Sequence, residues 1–130
     1  MDTTNNKMMI ILRTDKNMRK GKMVAQGGHA IEYNILSESV DTDEGLLIPK
    51  SSPIYQWMKG ESHKKIVLGI DSEQGLLELY ETVKKAGLIC SLVLDSGLTE
   101  FNGVPTYTAV AIGPHAPERI DPYTKHLKPL

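Results

Sequence analysis

The fold class is decided by residues 65–94, KIVLGIDSEQGLLELYETVKKAGLICSLVL. The apolar run at 65–70 has the length and composition of a buried strand. Asp71 and Gln74 then form the pattern of a capping box, and apolar residues follow at helical spacing. A second apolar run at 88–94 predicts another strand. A strand, a helix and a strand in this order are typical of layered α/β domains with parallel strands.

The flanking segments extend this pattern in both directions. MMIILR at 8–13 predicts a first strand, and residues 22–36 predict a helix. TYTAVAI at 106–112 predicts a fourth strand. Because it follows the third strand without a helix between them, we expect this pair to be antiparallel. The prediction is therefore one domain spanning 1–130, an α/β fold with three α/β/α layers, a mixed four-stranded sheet and helices on both faces.

A long loop and two short helices complete the prediction. Residues 37–52, SESVDTDEGLLIPKSS, are polar and are interrupted by glycine and proline, so they predict a long loop. Ser52 followed by Pro53 is typical of a helix N-terminus and places a short helix over IYQWMK. Pro117 is expected to open a last helix, which Pro122 limits.

Composition and charge narrow the classes of function. The chain is 40% apolar and 24% charged, as in an ordinary globular domain. Its net charge of −1 argues against indiscriminate nucleic-acid binding. Residues 1–30, however, hold six cations and two anions, whereas residues 31–45 hold five anions and no cation. This distribution favours either the steering of a polyanion to one face or a set of ordinary solvated charges.

The sequence shows no sign of export or membrane insertion. Its first residues, MDTTNNK, lack the pattern of a signal peptide, and no apolar run approaches membrane-spanning length. The single cysteine, Cys90, lies in an apolar run, which predicts a buried and inert thiol. We therefore expect a cytoplasmic protein without disulfides and without a membrane partner.

Residues 18–29, MRKGKMVAQGGH, are unusual in composition. They do not form a Walker A loop, because Met23 stands where that loop needs Ser or Thr. Wound as a helix at about 100° per residue, the segment and the residues after it separate into two opposed stripes. We expect the aliphatic stripe to pack on the sheet, and the polar stripe to be either a functional surface or an ordinary solvated face. The polar stripe is Lys22, Gln26, His29 and Tyr33, and the aliphatic stripe is Val24, Ile31 and Ile35.

Two polar segments follow predicted strands. Asp95-Ser96-Gly97-Leu98-Thr99 comes after the third strand, and Arg13-Thr14-Asp15 comes after the first. Ligands of α/β sheets bind beyond the carboxyl ends of strands. If the first and third strands are parallel neighbours, both loops share one sheet edge with the start of the helix at Lys22. The alternative for Asp95 is a plain Asx turn.

Together these residues resemble the type II peptidyl-tRNA hydrolases, a family of archaea and eukaryotes. The resemblance rests on motifs that occur in order along nearly the whole chain. They are Arg13-Thr14-Asp15, Met18-Arg19-Lys20-Gly21-Lys22, Ala25-Gln26-Gly27-Gly28-His29-Ala30, Asp95-Ser96-Gly97-Leu98-Thr99, and Thr108 with Ile112-Gly113-Pro114. The chain departs from the family pattern at Arg19, where glycine is usual, at Leu98, where arginine is usual, and at Gly27-Gly28.

The resemblance implies hydrolysis of the ester that joins a peptide to the 3′ end of tRNA. It implies that Asp95 orients the attacking water, and that Lys20 or Lys22, with Thr99, stabilises the oxyanion or the ribose leaving group. Gln26, His29 and Thr108 would orient the substrate or these partners. The residues expected to meet tRNA phosphates are Arg13, Lys16, Arg19 and Lys20.

Several expectations and alternatives accompany this prediction. No metal or other cofactor is expected, because the histidines lack metal-ligand spacing. No covalent acyl-enzyme is expected, because no nucleophile elbow is present. A homodimer is a further expectation from the resemblance. The alternatives are an inactive module of the same fold that binds tRNA or a protein, and a hydrolase of aminoacyl-tRNA esters.

Overall fold

The computed structural model describes residues 5–60, 63–98 and 100–130. Along the chain the elements are β1 (Lys7–Arg13), α1 (Lys20–Ser37), β2 (Val40–Thr42), β3 (Gly45–Leu47), α2 (Pro53–Lys59), β4 (Lys65–Ile70), α3 (Glu73–Lys85), β5 (Cys90–Asp95), β6 (Thr106–His115), α4 (Pro117–Thr124) and β7 (Lys128–Pro129). One sheet has the strand order β5-β6-β1-β4-β7, and β2 pairs with β3 in a separate hairpin. Within the described residues, no helix is both long and apolar enough to cross a membrane.

The central strand β1 is buried along its whole length and separates two hydrophobic cores. On one face, Ile54 and Trp57 of α2 and Ala30 of α1 pack against the sheet. On the other face, α3 packs through Leu76 and α4 through Ile120, with their apolar neighbours. The prediction of an α/β fold with helices on both faces is therefore confirmed.

The sheet differs from the prediction in strand number and order. It has five strands rather than four, because the C-terminal β7 pairs antiparallel with β4. A two-residue strand that ends in proline has no periodicity from which it could be predicted. β5 and β6 are antiparallel, as expected. β1 and β5 are not neighbours, since β6 lies between them, but two antiparallel pairings make them run in the same direction. Their carboxyl ends therefore still share one sheet edge.

The long polar loop predicted at 37–52 contains a short hairpin in its middle. There β2 and β3 form an antiparallel hairpin in which Val40 pairs with Leu47 and Thr42 with Gly45. The Thr42 hydroxyl donates to the Gly45 carbonyl at 2.6 Å. Both strands are three residues long and exposed. Their sequences, VDT and GLL, are too short to give a recognisable strand pattern.

The helix ends confirm one predicted cap and correct another. α2 begins as expected, with the Ser52 hydroxyl accepting from the Ile54 backbone N–H at 3.1 Å. α3 is capped by Ser72 rather than by Asp71, because the Ser72 hydroxyl accepts from the Gly75 N–H at 3.0 Å. Pro122 does not limit α4.

That last helix continues through Pro122 to Thr124, and the Lys125 N–H bonds to the Asp121 carbonyl at 3.0 Å.

Cys90 is half-buried rather than fully buried. Its burial raises the pKa of the thiol above the ordinary value, against a lowering by the Lys84 ammonium. A thiol with a raised pKa is mostly protonated at neutral pH, which favours the inert character expected from the sequence.

The assignment of the α3 cap can be tested by a pair of substitutions. Ser72→Ala removes the side-chain acceptor for the Gly75 N–H, so we expect the free energy of unfolding to fall by about 1 kcal/mol. Asp71→Ala, one residue earlier, should change it by less than about 0.5 kcal/mol. Urea denaturation followed by circular dichroism measures both. A larger loss for Asp71→Ala would restore the cap predicted from the sequence.

Candidate active site

The candidate active site lies at the sheet edge where β1 and β5 end and α1 begins. Asp95 is the last residue of β5, and Lys22 and Gln26 lie in the first two turns of α1. The Asp95 side chain is 13% exposed, so solvent reaches only part of its carboxylate. The edge predicted to carry the chemistry therefore holds residues from two separate segments of the chain.

Three groups donate hydrogen bonds to the Asp95 carboxylate. Oδ1 accepts from Lys22 Nζ at 3.0 Å and from Gln26 Nε2 at 3.2 Å. Oδ2 accepts from the Gly97 backbone N–H at 2.9 Å. Gly97 has a φ of 83°, and a Cβ there would collide with the backbone of Val104. The Asx turn considered as an alternative is present, and it is part of the cluster rather than a substitute for it.

A second hydrogen bond fixes the orientation of the Gln26 carboxamide. Thr108 Oγ1 donates to Gln26 Oε1 at 2.5 Å, and both side chains are buried. Because the amide oxygen faces Thr108, the amide nitrogen faces Asp95. The chain Thr108–Gln26–Asp95 thus links the middle of β6, through α1, to the end of β5.

Two opposing effects set the pKa of Asp95. Burial alone would raise it, because desolvation penalises the charged form. The hydrogen bonds from Lys22, Gly97 and Gln26, with the charge of the Lys22 ammonium, outweigh burial and hold the pKa below its ordinary value. Asp95 is therefore an ionised acceptor at neutral pH. The Lys22 ammonium also lies 5.6 Å from the centre of the Phe101 ring.

The prediction about which face of α1 packs on the sheet is only partly right, because Ile31 and Ile35 of the aliphatic stripe pack against the core as expected. The buried residues of α1 are Gln26, Gly27, Ala30 and Asn34, whereas Val24 of the aliphatic stripe is 75% exposed. On the helical wheel Gly27, Ala30 and Asn34 lie between the two predicted stripes, whereas Gln26 belongs to the polar stripe. The packed face consists of small or polar residues, and the polar members find partners on β6. The Asn34 amide, for example, donates to the Gly113 carbonyl at 2.9 Å.

The polar stripe reaches the candidate site only at its N-terminal end. His29 lies seven residues after Lys22, about 10 Å further along the helix axis. Its exposed ring stacks on Tyr33, with centroids 6.3 Å apart and planes at 15°. The structure therefore brings Lys22 and Gln26 to Asp95 and leaves His29 on the outer surface of α1.

The other predicted cations differ in how accessible they are. Lys16 and Lys20 are exposed. Arg19 is 89% exposed, with its Nε 3.7 Å from Glu100 Oε1. Arg13 is buried, and its guanidinium donates to both carboxylate oxygens of Asp15, at 3.0 and 2.6 Å. Arg13 holds its loop together through these bonds, and Asp15 consequently has a lowered pKa.

Two residues near the site were missed in the sequence. Glu100 Oε2 accepts from the Arg19 backbone N–H at 3.4 Å, at the start of α1. Phe101 lies beneath the Lys22 ammonium and is the only phenylalanine of the chain. Their one signal was their position directly after the Asp95 motif. Thr99, predicted to assist catalysis, lies outside the described residues.

No group of three or more His, Cys, Asp or Glu side chains that could hold a metal ion occurs in the part of the chain that the structure describes. The donors around Asp95 are an ammonium, an amide and a backbone N–H. This set can orient a polar molecule beside the carboxylate and stabilise negative charge near it.

Comparisons with known proteins found a matching family, similar relatives and a solved structure of similar fold. A family model described as "Peptidyl-tRNA hydrolase PTH2" matches residues 6–130. A peptidyl-tRNA hydrolase of Methanocaldococcus jannaschii is 42% identical over 124 residues, covering 95% of this chain and 99% of that protein. One of Methanopyrus kandleri is 36% identical and covers 93% and 95%. A solved structure of an Agrobacterium protein of unknown function is similar in fold, with a TM-score of 0.58 at 13% identity, over 97% of this chain and 98% of that one.

The dependence of the Asp95 pKa on Lys22 can be measured directly. Lys22→Met removes the ammonium that lowers the pKa of Asp95. Burial, which raises that pKa, is then opposed only by the contacts with Gly97 and Gln26. We therefore expect the Asp95 pKa to rise, as followed by carbon NMR of its carboxyl group across a pH titration. Lys20→Met, in the same turn, is the matched control and should leave the titration of Asp95 unchanged. Equal shifts in both variants would contradict a specific contact with Lys22.

Proposed function

This chain belongs to the peptidyl-tRNA hydrolase family PTH2, and we propose that the Asp95 cluster is where it hydrolyses the ester between peptide and tRNA. The observation that carries the proposal is the part-buried Asp95 carboxylate, which accepts hydrogen bonds from Lys22, Gln26 and Gly97 at the sheet edge. Such a carboxylate is ionised and fixed in direction, and one side remains open to solvent. An ionised carboxylate with a fixed direction can orient a water molecule for attack on an ester.

In the first step Asp95 orients a water molecule and takes its proton. Oδ1 is occupied by Lys22 and Gln26, whereas Oδ2 accepts one backbone N–H and keeps a second lone pair. The water donates to this lone pair and attacks the ester carbonyl carbon. A new C–O bond forms, the carbonyl π electrons move to oxygen, and the proton moves to Asp95.

A lysine ammonium then stabilises the negative oxygen of the tetrahedral intermediate. Lys22 is the stronger candidate, because its Nζ already contacts the Asp95 carboxylate, 3.0 Å from Oδ1. Lys20, in the same helical turn, is the other candidate. Removing one such oxyanion donor from an enzyme typically costs about 10²–10³ in kcat.

In the last step the C–O bond to ribose breaks, and the leaving oxygen takes the proton from Asp95. The same contacts that make Asp95 a weak base make its protonated form a strong acid, because its pKa lies below the ordinary value. Proton return to the ribose oxygen is therefore favourable. The products are a free peptide and a tRNA with a free 3′ end, and Asp95 is again ionised.

Gln26 and Thr108 act as positioning residues in this proposal. Both are buried, so neither reaches the substrate directly. Thr108 orients the Gln26 amide, and the amide in turn limits rotation of the Asp95 carboxylate. His29 is too far along α1 to take part in the step itself, and we propose a contact with the tRNA for it. Thr99 keeps its predicted role as a donor to the oxyanion or the leaving oxygen.

We propose that the tRNA phosphates contact Lys16, Arg19 and Lys20, which are exposed around the start of α1. Arg13 contributes positive charge to this face, while its side chain remains bonded to Asp15. A protein with net charge −1 thus concentrates cations where the polyanion must bind. Because the proposed substrate is produced by translation, we propose a cytoplasmic location. The homodimer stays a prediction, which sedimentation would test.

Measurements of ester hydrolysis distinguish two alternatives from this proposal. An inactive module of the same fold would bind tRNA without hydrolysing any ester, and the complete Asp95–Lys22–Gln26 cluster argues against it. A hydrolase of aminoacyl-tRNA esters would use the same chemistry on a substrate with a free amino group. Comparing N-blocked with unblocked aminoacyl-tRNA distinguishes it from a peptidyl-tRNA hydrolase.

The role of Asp95 is tested by Asp95→Asn, which keeps the size of the side chain and removes its charge and basicity. We expect kcat for release of labelled peptide from N-acetylated aminoacyl-tRNA to fall by about 10²–10⁴, while tRNA affinity is retained. Asp121→Asn is the matched control. Asp121 also pairs with a lysine, Lys7 at 2.7 Å, but it lies on α4 at the opposite face of the sheet. Unchanged turnover in Asp95→Asn would contradict the proposed mechanism.

The tRNA surface is tested through salt dependence. The double variant Lys16→Gln and Arg19→Gln should weaken tRNA binding and lower the slope of log K against log salt by roughly two units, since each phosphate contact contributes about 0.9. Lys85→Gln, exposed on α3 at the opposite face, should leave the slope unchanged. Fluorescence titration of labelled tRNA at several salt concentrations measures it. Equal slopes in all variants would place the tRNA on another surface.

A further inference from the structure

A groove of about 520 Å³ runs along the flank of α1 that faces away from Asp95. Its walls are α1 on one side and the strands β1, β4 and β7 on the other. The α1 side consists of Lys20, Met23, Val24, Gly27, Gly28 and Ile31. The sheet side consists of Ile10, Leu12, Lys65, Val67 and Leu130. Its volume lies within the range of roughly 300–1,000 Å³ that is usual for ligand sites.

The groove exists because α1 does not cover all of the sheet and carries no side chain at two positions. α1 packs mainly on β5, β6 and β1, so part of this face of β4 stays exposed. Val67 is 39% exposed and Leu130 is 53% exposed. At Gly28, a Cβ would find no atom within 4 Å, and at Gly27 it would only touch Ile10 at 3.5 Å. Neither glycine is therefore required by close packing, and larger residues here would fill the groove.

The position of the groove connects it with the candidate active site. Its lysine at the start of α1, Lys20, lies two residues before Lys22, which contacts Asp95. The groove then continues along α1 as far as Ile31. An ester bound at Asp95 carries two chains, and the tRNA chain is drawn to the exposed cations. The peptide chain must leave by another route, and the groove offers an apolar one that begins in the same helical turn.

We propose that this groove binds the nascent peptide of the substrate through apolar side chains remote from the ester. The inference rests on the proposed function and names a subsite for it. A helix is about 10 Å wide, and an extended peptide advances about 3.3–3.6 Å per residue. A peptide that crosses the first turn of α1 from Asp95 therefore reaches the groove with about its third residue. Residues nearer to the ester do not contact the groove.

The groove suits a peptide better than a second copy of this chain. A stable dimer buries about 800 Å² on each partner, usually over a broad surface. Only eleven residues of the described chain line this groove, against about 20–30 a side in a stable interface, and two of them are the lysines Lys20 and Lys65. A single extended chain fits such a shape, with side chains in the groove and backbone groups near the lysines. A second copy is the competing occupant in the experiment below.

The experiment compares three substrates that share one esterified residue, glycine. The first is N-acetyl-Gly-tRNA, and the other two are tetrapeptidyl-tRNAs in which the three residues before that glycine are all leucine or all glycine. We expect the wild-type protein to hydrolyse the leucine peptide with kcat/KM about tenfold above the glycine peptide, mostly through KM. Tenfold corresponds to about 1.4 kcal/mol, which is less than the burial of one leucine side chain contributes.

Two substitutions of one glycine provide the matched comparison. Gly28→Phe fills the groove and should abolish the preference for leucine, whereas Gly28→Ala leaves the groove open and should keep it. Both replace a helical glycine and therefore affect folding in the same direction. Val67→Lys, at a half-exposed position of β4, offers a second way to block the groove. Hydrolysis of N-acetyl-Gly-tRNA, which is too short to reach the groove, should be unchanged in all three variants.

Three results would overturn the proposal. The first is equal kcat/KM for the leucine and glycine peptides in the wild type, and the second is an unchanged preference in Gly28→Phe. The third is a wild-type dimer that Gly28→Phe converts to a monomer in sedimentation, with the leucine preference intact, since a second copy would then occupy the groove. Failure of the wild type on every substrate, the short one included, would instead overturn the proposed function.

Discussion

The geometry of the candidate site depends on one buried hydrogen bond, from Thr108 Oγ1 to Gln26 Oε1 at 2.5 Å. Inside a protein an unpaired amide is costly, so Gln26 stays buried only because β6 supplies its partner. The same bond determines that the nitrogen of Gln26, rather than its oxygen, faces Asp95. The direction of a carboxylate on one strand is thereby set by a hydroxyl on the next strand.

A second polar contact fixes the rotation of α1 about its own axis. Asn34 donates to the Gly113 carbonyl, eight residues further along the helix than Gln26. Eight residues span about 12 Å, so the two contacts hold both halves of α1 on β6. A helix held at two separated points cannot roll without breaking buried hydrogen bonds. This explains why α1 presents polar and small residues to the sheet and leaves Val24 exposed.

The sequence predicted most of the fold but not this contact between α1 and the sheet. Apolar periodicity was sufficient for β1, β4 and α3, because their burial is driven by aliphatic side chains. It was incomplete for α1, where Ile31 and Ile35 pack as expected but the buried polar residues look like solvated ones until their partners on β6 are known. It also failed for β7, where the pairing of two residues depends entirely on the neighbouring strand.

The strand that carries Asp95, β5, is the outermost strand of the five-stranded sheet and pairs within that sheet only with β6. β5 is only partly buried, whereas β1 is buried at every position. Amide hydrogens of β5 should therefore exchange with solvent through smaller local openings than those of β1. The Lys22 and Gln26 bonds to Asp95 cross from α1 to the end of this edge strand. These bonds hold the end of β5 against α1. The groups that prepare the carboxylate for chemistry therefore also oppose local opening of the strand.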